Sequence, residues 1–262
     1  MGGCRAMNSM VIKWGKRLVT TVCLGIVGLL LYALSYYVYW DWYIPYHTES
    51  LYQEAIQNPN KSEEIAQQLF DMEDHTSGSN DKALKLITYY AEKGRIGSQK
   101  MLEQYNADNG LPIESKIPIN RHIFGIDLGK STKQDVWNYL DCNSLQHQEL
   151  ENGSITQCYN DFEFAGVYWD YACFYYVNNK VYKITFTYST KGSALECFNA
   201  LKGMLVSKYT LSKKINIENS SNFYIKDSNT LIELDLNFHD LCLKYTDVKA
   251  KKEKLQNDLK NI

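Results

Sequence analysis

The chain has 262 residues, 45% of them hydrophobic and 13% aromatic, with 28 Lys and Arg against 30 Asp and Glu. Four of the basic residues crowd into the first 17 positions, which leaves the rest acidic and excludes the basic surface of a nucleic-acid-binding protein. Seven cysteines without any C-x-x-C spacing exclude a dense disulfide scaffold for a chain of this size.

Residues 18–40 hold no charge. At about 1.5 Å per residue a helix over this run spans roughly 30 Å, the hydrocarbon thickness of a bilayer. Trp14, Lys16 and Arg17 precede it, and Trp40, Trp42 and Tyr43 follow it as interface anchors. The run predicts a single transmembrane helix after a cytoplasmic tail of residues 1–17. No Lys or Arg follows until Lys61, so the positive-inside rule places residues 41–262 outside the cytoplasm, in the periplasm if the membrane is a bacterial inner membrane. The main rival is a cleaved signal peptide, whose apolar region is shorter, about 7–15 residues.

Residues 48–110 read as helical, with helices expected at 49–57, 61–72, 81–93 and 97–106. Asn58-Pro59-Asn60, the polar stretch 75–80 and Gly94 supply the breaks. Ile65, Leu69 and Met72 fall on one helix face, and Ala83, Leu84, Ile87 and Ala91 on another. Within residues 82–110, Ala83, Tyr89, Tyr90, Ala91, Glu92, Gly94, Ser98, Leu102, Tyr105 and Gly110 resemble the Sel-type relatives of the tetratricopeptide repeats. Ile96, Ser98 and Met101 depart from that pattern. The resemblance implies a protein-binding scaffold, with Tyr89, Tyr90 and Tyr105 as its contact residues; the alternative is a plain helical spacer.

Residues 111–122 carry Pro112 and Pro118 and are expected to be an extended linker. Residues 123–246 are expected to form an α+β antiparallel sheet domain of two helix-plus-strands units. The first has a helix at 131–140, capped by Ser131, and strands at 145–150, 155–159, 162–168, 170–177 and 180–189, with Asn178-Asn179 as a hairpin turn. The second has a helix at 193–209 and strands at 222–226, 230–237 and 240–245. Alternation is clearest where Ile232, Leu234 and Leu236 interleave with Glu233, Asp235 and Asn237. The Phe124-Gly125-Ile126-Asp127-Leu128-Gly129 stretch and the helix start after it are similar to the opening of BamE-like and β-lactamase-inhibitor-like envelope domains. That resemblance implies protein binding without catalysis. Residues 247–262 form a charged C-terminal helix with five lysines.

Chemistry-bearing motifs are scarce. Gly129-Lys130-Ser131 ends like a phosphate-binding loop, but Phe124 stands where the motif needs glycine. The five histidines lack metal-ligand spacing, so no metal, cofactor or catalytic residue is assigned. Cys142 and Cys158 flank a loop-and-strand stretch and are the expected pair for a single bridge, while Cys173 and Cys197 are expected to be free and buried. The expectation is a membrane-anchored, envelope-facing adaptor or protein-binding module with a protein partner. The alternatives are an inhibitor or immunity protein directed at a toxin or hydrolase, and an enzyme of unrecognised type.

Overall fold

The computed structural model describes residues 3–72, 78–141, 147–149, 156–189, 193–212, 214–215, 221–237 and 240–260. The chain is mixed α and β and divides into two compact units, 1–93 and 94–262. The expected helix pair at 81–106 is thereby split between them, one helix in each.

In the first unit, helix α1 runs Gly3–Val38. The expected tail is thus helical from residue 3 onward and continuous with the apolar run. One segment here is long and apolar enough to cross a membrane, and none of its most apolar stretch is buried against protein. A π-helical turn follows at Tyr39–Tyr43, then α2 (Ile44–Gln57), a short 3-10 turn (Pro59–Lys61), α3 (Ser62–Asp71) and α4 (Ser79–Glu92). Ile44, Ala55, Ile65, Ala66, Leu69, Ala83, Leu86 and Ile87 fill the core between α2, α3 and α4. On α4 the buried stripe runs through Leu86 and Tyr90, two positions beyond and one short of the expected Leu84 and Ala91.

Tyr90 has a definite reason to be inside. The carbonyl of Ala55 lies four residues before Pro59, which has no N–H to offer it. The Tyr90 hydroxyl donates to that carbonyl at 2.9 Å. Tyr90→Phe is therefore expected to leave a buried carbonyl unsatisfied and to cost about 1–2 kcal/mol. Denaturant unfolding of the detergent-solubilised chain measures this; a loss below about 0.5 kcal/mol contradicts the assigned role.

The second unit begins with α5 (Ile96–Asp108). The expected linker is partly strand: β1 (Ile113–Glu114) pairs in parallel with a strand of the main sheet. A small hairpin, β2 (His122–Ile123) and β3 (Ile126–Asp127), leads into α6 (Lys133–Asp141). Thr132 caps α6 in place of the expected Ser131. Its hydroxyl accepts from the Asp135 backbone N–H at 3.2 Å, and the Asp135 carboxylate accepts from the Thr132 N–H at 2.8 Å, a reciprocal capping box.

The strands are β4 (His147–Glu149), β5 (Thr156–Phe164), β6 (Val167–Val177), β7 (Lys180–Ser189), β8 (Asn222–Lys226), β9 (Thr230–Leu236) and β10 (Asp240–Asp247). Helix α7 (Ala194–Tyr209) separates the two strand groups, and α8 (Val248–Lys260) follows the last strand. All eight strands of the main sheet share the order β1-β8-β9-β10-β7-β6-β5-β4. Each group is a meander, and the last strands of the two, β7 and β10, pair antiparallel in the middle. Only β1–β8 is parallel.

The β5–β6 turn differs from the expected break between residues 168 and 170. It is a two-residue turn at Ala165-Gly166, with φ of 56° and 74°. Asn178-Asn179 makes the β6–β7 turn with φ of 48° and 61°. Both match the left-handed central pair of a type I′ turn, whose twist suits adjoining antiparallel strands.

One face of the sheet is the core. Tyr159, Ala172, Phe186, Leu243, Leu234 and Phe223 lie in register across six strands, and all are buried. Val136 and Leu140 of α6 and Phe198, Leu201 and Leu205 of α7 belong to the same cluster. Glu103 of α5 is buried as well. Its carboxylate accepts from the backbone N–H groups of Leu211 and Ser212 at 2.7 and 2.8 Å, and so fixes the chain after α7.

Candidate functional site

Among the described residues two places have the geometry to engage something outside the chain, one in each unit. The first is set by a proline. In an uninterrupted helix Pro45 would offer no N–H to the carbonyl of Asp41, and its ring would clash there. The backbone widens instead into the Tyr39–Tyr43 turn, where the Ile44 N–H reaches back five residues to the Tyr39 carbonyl. Single π-turns of this kind often sit at functional sites. This one brings aromatic rings together at the end of the apolar run. Tyr39 meets Trp40 edge-on at 5.5 Å between centroids, stacks on Tyr43 at 5.6 Å, and Tyr43 stacks on His47 at 5.5 Å.

Beside these rings is a cavity of about 440 Å³, lined by Tyr39, Trp40, Tyr43, Ile44, His47, Asp71 and Met72. Among the described residues no Lys or Arg lines it. One oxygen of Asp71 accepts from the Gln67 side chain at 2.8 Å.

The second place is the sheet face opposite the core. Residues that alternate with the core row are Cys158, Cys173, Thr185, Lys244, Glu233 and Tyr224, in register across six strands. A neighbouring row carries Asn160, Tyr171, Thr187, Cys242, Asp235 and Asn222. The row's centre is small and polar, and tyrosines stand toward its flanks. Lys244 pairs with Asp235 at 2.6 Å.

At one end of this face the β6–β7 register slips by one residue at Tyr175/Tyr176. Such a bulge re-aims side chains, and here it leaves Tyr182 out of the core cluster while Val181 and Ile184 lie within it. The Lys183 ammonium sits 3.7 Å from the centre of the Tyr175 ring, and Lys254 of α8 comes within 3.4 Å of the Tyr182 hydroxyl. Burial, followed by the charges of Lys244, Lys254 and Lys251, pushes the Lys183 ammonium below its ordinary range. Burial and a hydrogen bond to Asp235 push the Tyr224 hydroxyl up to about 12. Burial also raises the Cys242 thiol, the reverse of what an activated thiolate requires. Among the described residues no group of three or more His, Cys, Asp or Glu is placed to hold a metal ion.

Cysteine pairing differs from the expectation. Cys158 is bonded to Cys173, directly across the β5–β6 pair with 4.1 Å between Cα atoms. Cys142 lies outside the described residues, and Cys197 and Cys242 are free thiols. The Gly129-Lys130-Ser131 stretch is tied up within the fold. The Gly129 N–H donates to Val181, the N–H groups of Lys130 and Ser131 donate to Asp127, and the Ser131 hydroxyl accepts from the Asp127 N–H.

The tyrosines and anchors named from sequence fall in different settings. Tyr89 is 48% exposed on α4, with Lys93 over its ring; Tyr90 is buried; Tyr105 is half-buried on α5. Trp14, Trp42 and Tyr43 are 68%, 71% and 51% exposed, as side chains meeting an interface require, and Lys16 and Arg17 lie within α1. Trp40 is half-buried and turns to the cavity. Sequence reading missed the cavity. Its signal was available in Pro45, placed five residues after Trp40 in an aromatic helical stretch.

Comparison with family models, with curated proteins and with solved structures finds no match to this chain. The residues themselves therefore carry the functional argument.

Proposed function

We propose that this chain is a single-pass membrane adaptor that presents the tyrosine-bearing rim of its second sheet face to a protein partner and performs no chemistry of its own. Helix α1 anchors it in a bacterial inner membrane with the N-terminus in the cytoplasm, and residues 41–262 work in the periplasm. The observation that carries the reading is the rim of the second sheet face, where Tyr171 is 36% exposed and Tyr224 is half-buried, to either side of a buried centre of Cys173, Thr185 and Thr187. Tyrosine supplies contact area at low entropic cost, and interface cores favour it. The absence of a wide apolar patch on these rows suits a partner that comes and goes rather than an obligate subunit. The charge asymmetry around α1 supports the orientation. So does the Cys158–Cys173 bond, since structural disulfides persist in oxidising compartments and are rare in the cytosol.

Site-specific photo-crosslinking in intact cells tests this. Benzoylphenylalanine in place of Tyr171 or Tyr224 is expected to give the same discrete protein adduct. At Leu195, exposed on α7, it is expected to give none. No adduct at the sheet positions, or identical adducts at all three, sinks the proposal.

A further inference from the structure

The aromatic cavity asks for a ligand of its own, because nothing in its lining makes it a plain packing defect. A defect in an apolar core is lined by aliphatic side chains. This one has four ring-bearing residues, Tyr39, Trp40, Tyr43 and His47, together with the acidic Asp71 in its lining. Ring faces carry negative quadrupolar charge and attract cations, most strongly ammonium groups. Asp71 adds a carboxylate, and among the described residues that line the cavity no Lys or Arg offsets it. An anionic group without a cation of its own would be repelled there. Among the described residues a metal ion would find one carboxylate and one imidazole, fewer ligands than a site needs. The cavity therefore selects a soft organic cation.

Its depth narrows the choice. The charge-free run ends at Trp40, itself a lining residue, so a spanning α1 sets the cavity at the level of the lipid headgroups. Lipids stand there at an effective concentration that few soluble cations reach. At about 440 Å³ the space lies within the range of small-ligand pockets and exceeds what an ammonium group alone fills. We propose that this pocket binds a zwitterionic lipid headgroup, with its ammonium end between the Trp40 and Tyr43 rings and the Asp71 carboxylate. The chemistry is that of phosphoethanolamine or phosphocholine. Binding there would hold the π-turn in place and fix how α2 leaves the membrane surface. The inference rests on the reading of α1 as a membrane span and is independent of the tyrosine-bearing sheet rim.

The test uses the full chain in nanodiscs of equal parts phosphatidylethanolamine and phosphatidylglycerol, followed by gentle detergent release and native mass spectrometry of retained lipid. Wild type is expected to retain the ammonium lipid over the anionic one by about three- to fivefold, equivalent to about 0.7–1 kcal/mol. Asp71→Asn and Trp40→Leu are expected to bring that ratio to parity. Neither Asp71 nor Trp40 belongs to the sheet unit's core cluster, and a circular dichroism melt confirms that each variant folds. Asp41→Asn, an acid at similar depth that does not line the cavity, is expected to leave the ratio unchanged. Millimolar free ethanolamine is expected to leave it unchanged too; displacement would assign the pocket to a soluble cation and overturn the lipid assignment. Parity in wild type, or equal ratios in wild type and Asp71→Asn, also overturns it. Release of the chain from membranes by alkaline carbonate would instead overturn the anchor, a failure visible before any lipid is weighed.

Discussion

Gly129→Ala is expected to lower the melting temperature of the sheet unit by roughly 10 °C. Two causes add. Gly129 has φ of +81°, a region where an L side chain costs about 1–2 kcal/mol. The new Cβ would also come within 2.5 Å of Arg121 Nη2 and press on the Asp247 carboxylate. Arg121 and Asp247 form an ion pair 126 residues apart in sequence, with the Asp247 side chain only 9% exposed. The other oxygen of Asp247 accepts from the Ala250 N–H at 2.8 Å and starts α8. Arg121 also donates to the Leu128 carbonyl at 2.9 Å. Displacing one member of a buried pair costs about 3–5 kcal/mol, less here because the Arg121 side chain is 32% exposed. Gly166→Ala supplies the control, since Gly166 has φ of +74° with nothing near its missing Cβ. Equal melting shifts for the two variants would show that the Arg121–Asp247 node contributes nothing beyond backbone strain.

The second large effect concerns the disulfide. Removing it in a Cys158→Ala, Cys173→Ala double variant is expected to destabilise the fold by about 3 kcal/mol, the chain-entropy value for a closed loop near 15 residues. Reduction of the wild-type chain should lower stability by a similar amount and leave the double variant unaffected. Peptide mapping after alkylation is expected to recover Cys158 joined to Cys173, with Cys197 and Cys242 alkylated. Recovery of Cys158 joined to Cys142 would contradict the observed register. Quantitative alkylation of Cys158 and Cys173 in protein taken directly from cells would place the sheet on the reducing side of the membrane and reverse the proposed orientation.

Local signals in the sequence served well where the physics is local. The long apolar run, the breaks at Asn58-Pro59 and Gly94, the Asn178-Asn179 turn and the alternation of Ile232, Leu234 and Leu236 all correspond to what is seen. The Ala165-Gly166 turn escaped because alanine rarely takes φ of 56° and so gives no warning. That single miss carried the cysteine error with it. Residues 158 and 173 are equidistant from a turn centred on 165 and 166, so the right turn would have paired them. Tyr90 looked like a surface aromatic because its reason for burial, a carbonyl orphaned by Pro59, lies on a different helix. The partnering of β7 with β10 depends on two segments more than 50 residues apart, and no short-range pattern encodes it.

That central partnering has a consequence for how the sheet is assembled. The first meander, β4 to β7, is complete by Ser189, yet β7 remains an open edge until Asp240–Asp247 has been delivered. A chain that emerges from its N-terminus must therefore hold an unpaired, largely apolar strand through the whole of α7, β8 and β9. Open edges of this kind template pairing with other chains. Closure of the sheet is thus a late and non-local event, with the slow folding and aggregation risk that long-range strand pairing brings. The Cys158–Cys173 bond lies wholly within the part that waits, and it can lock β5 to β6 before the closing strand arrives.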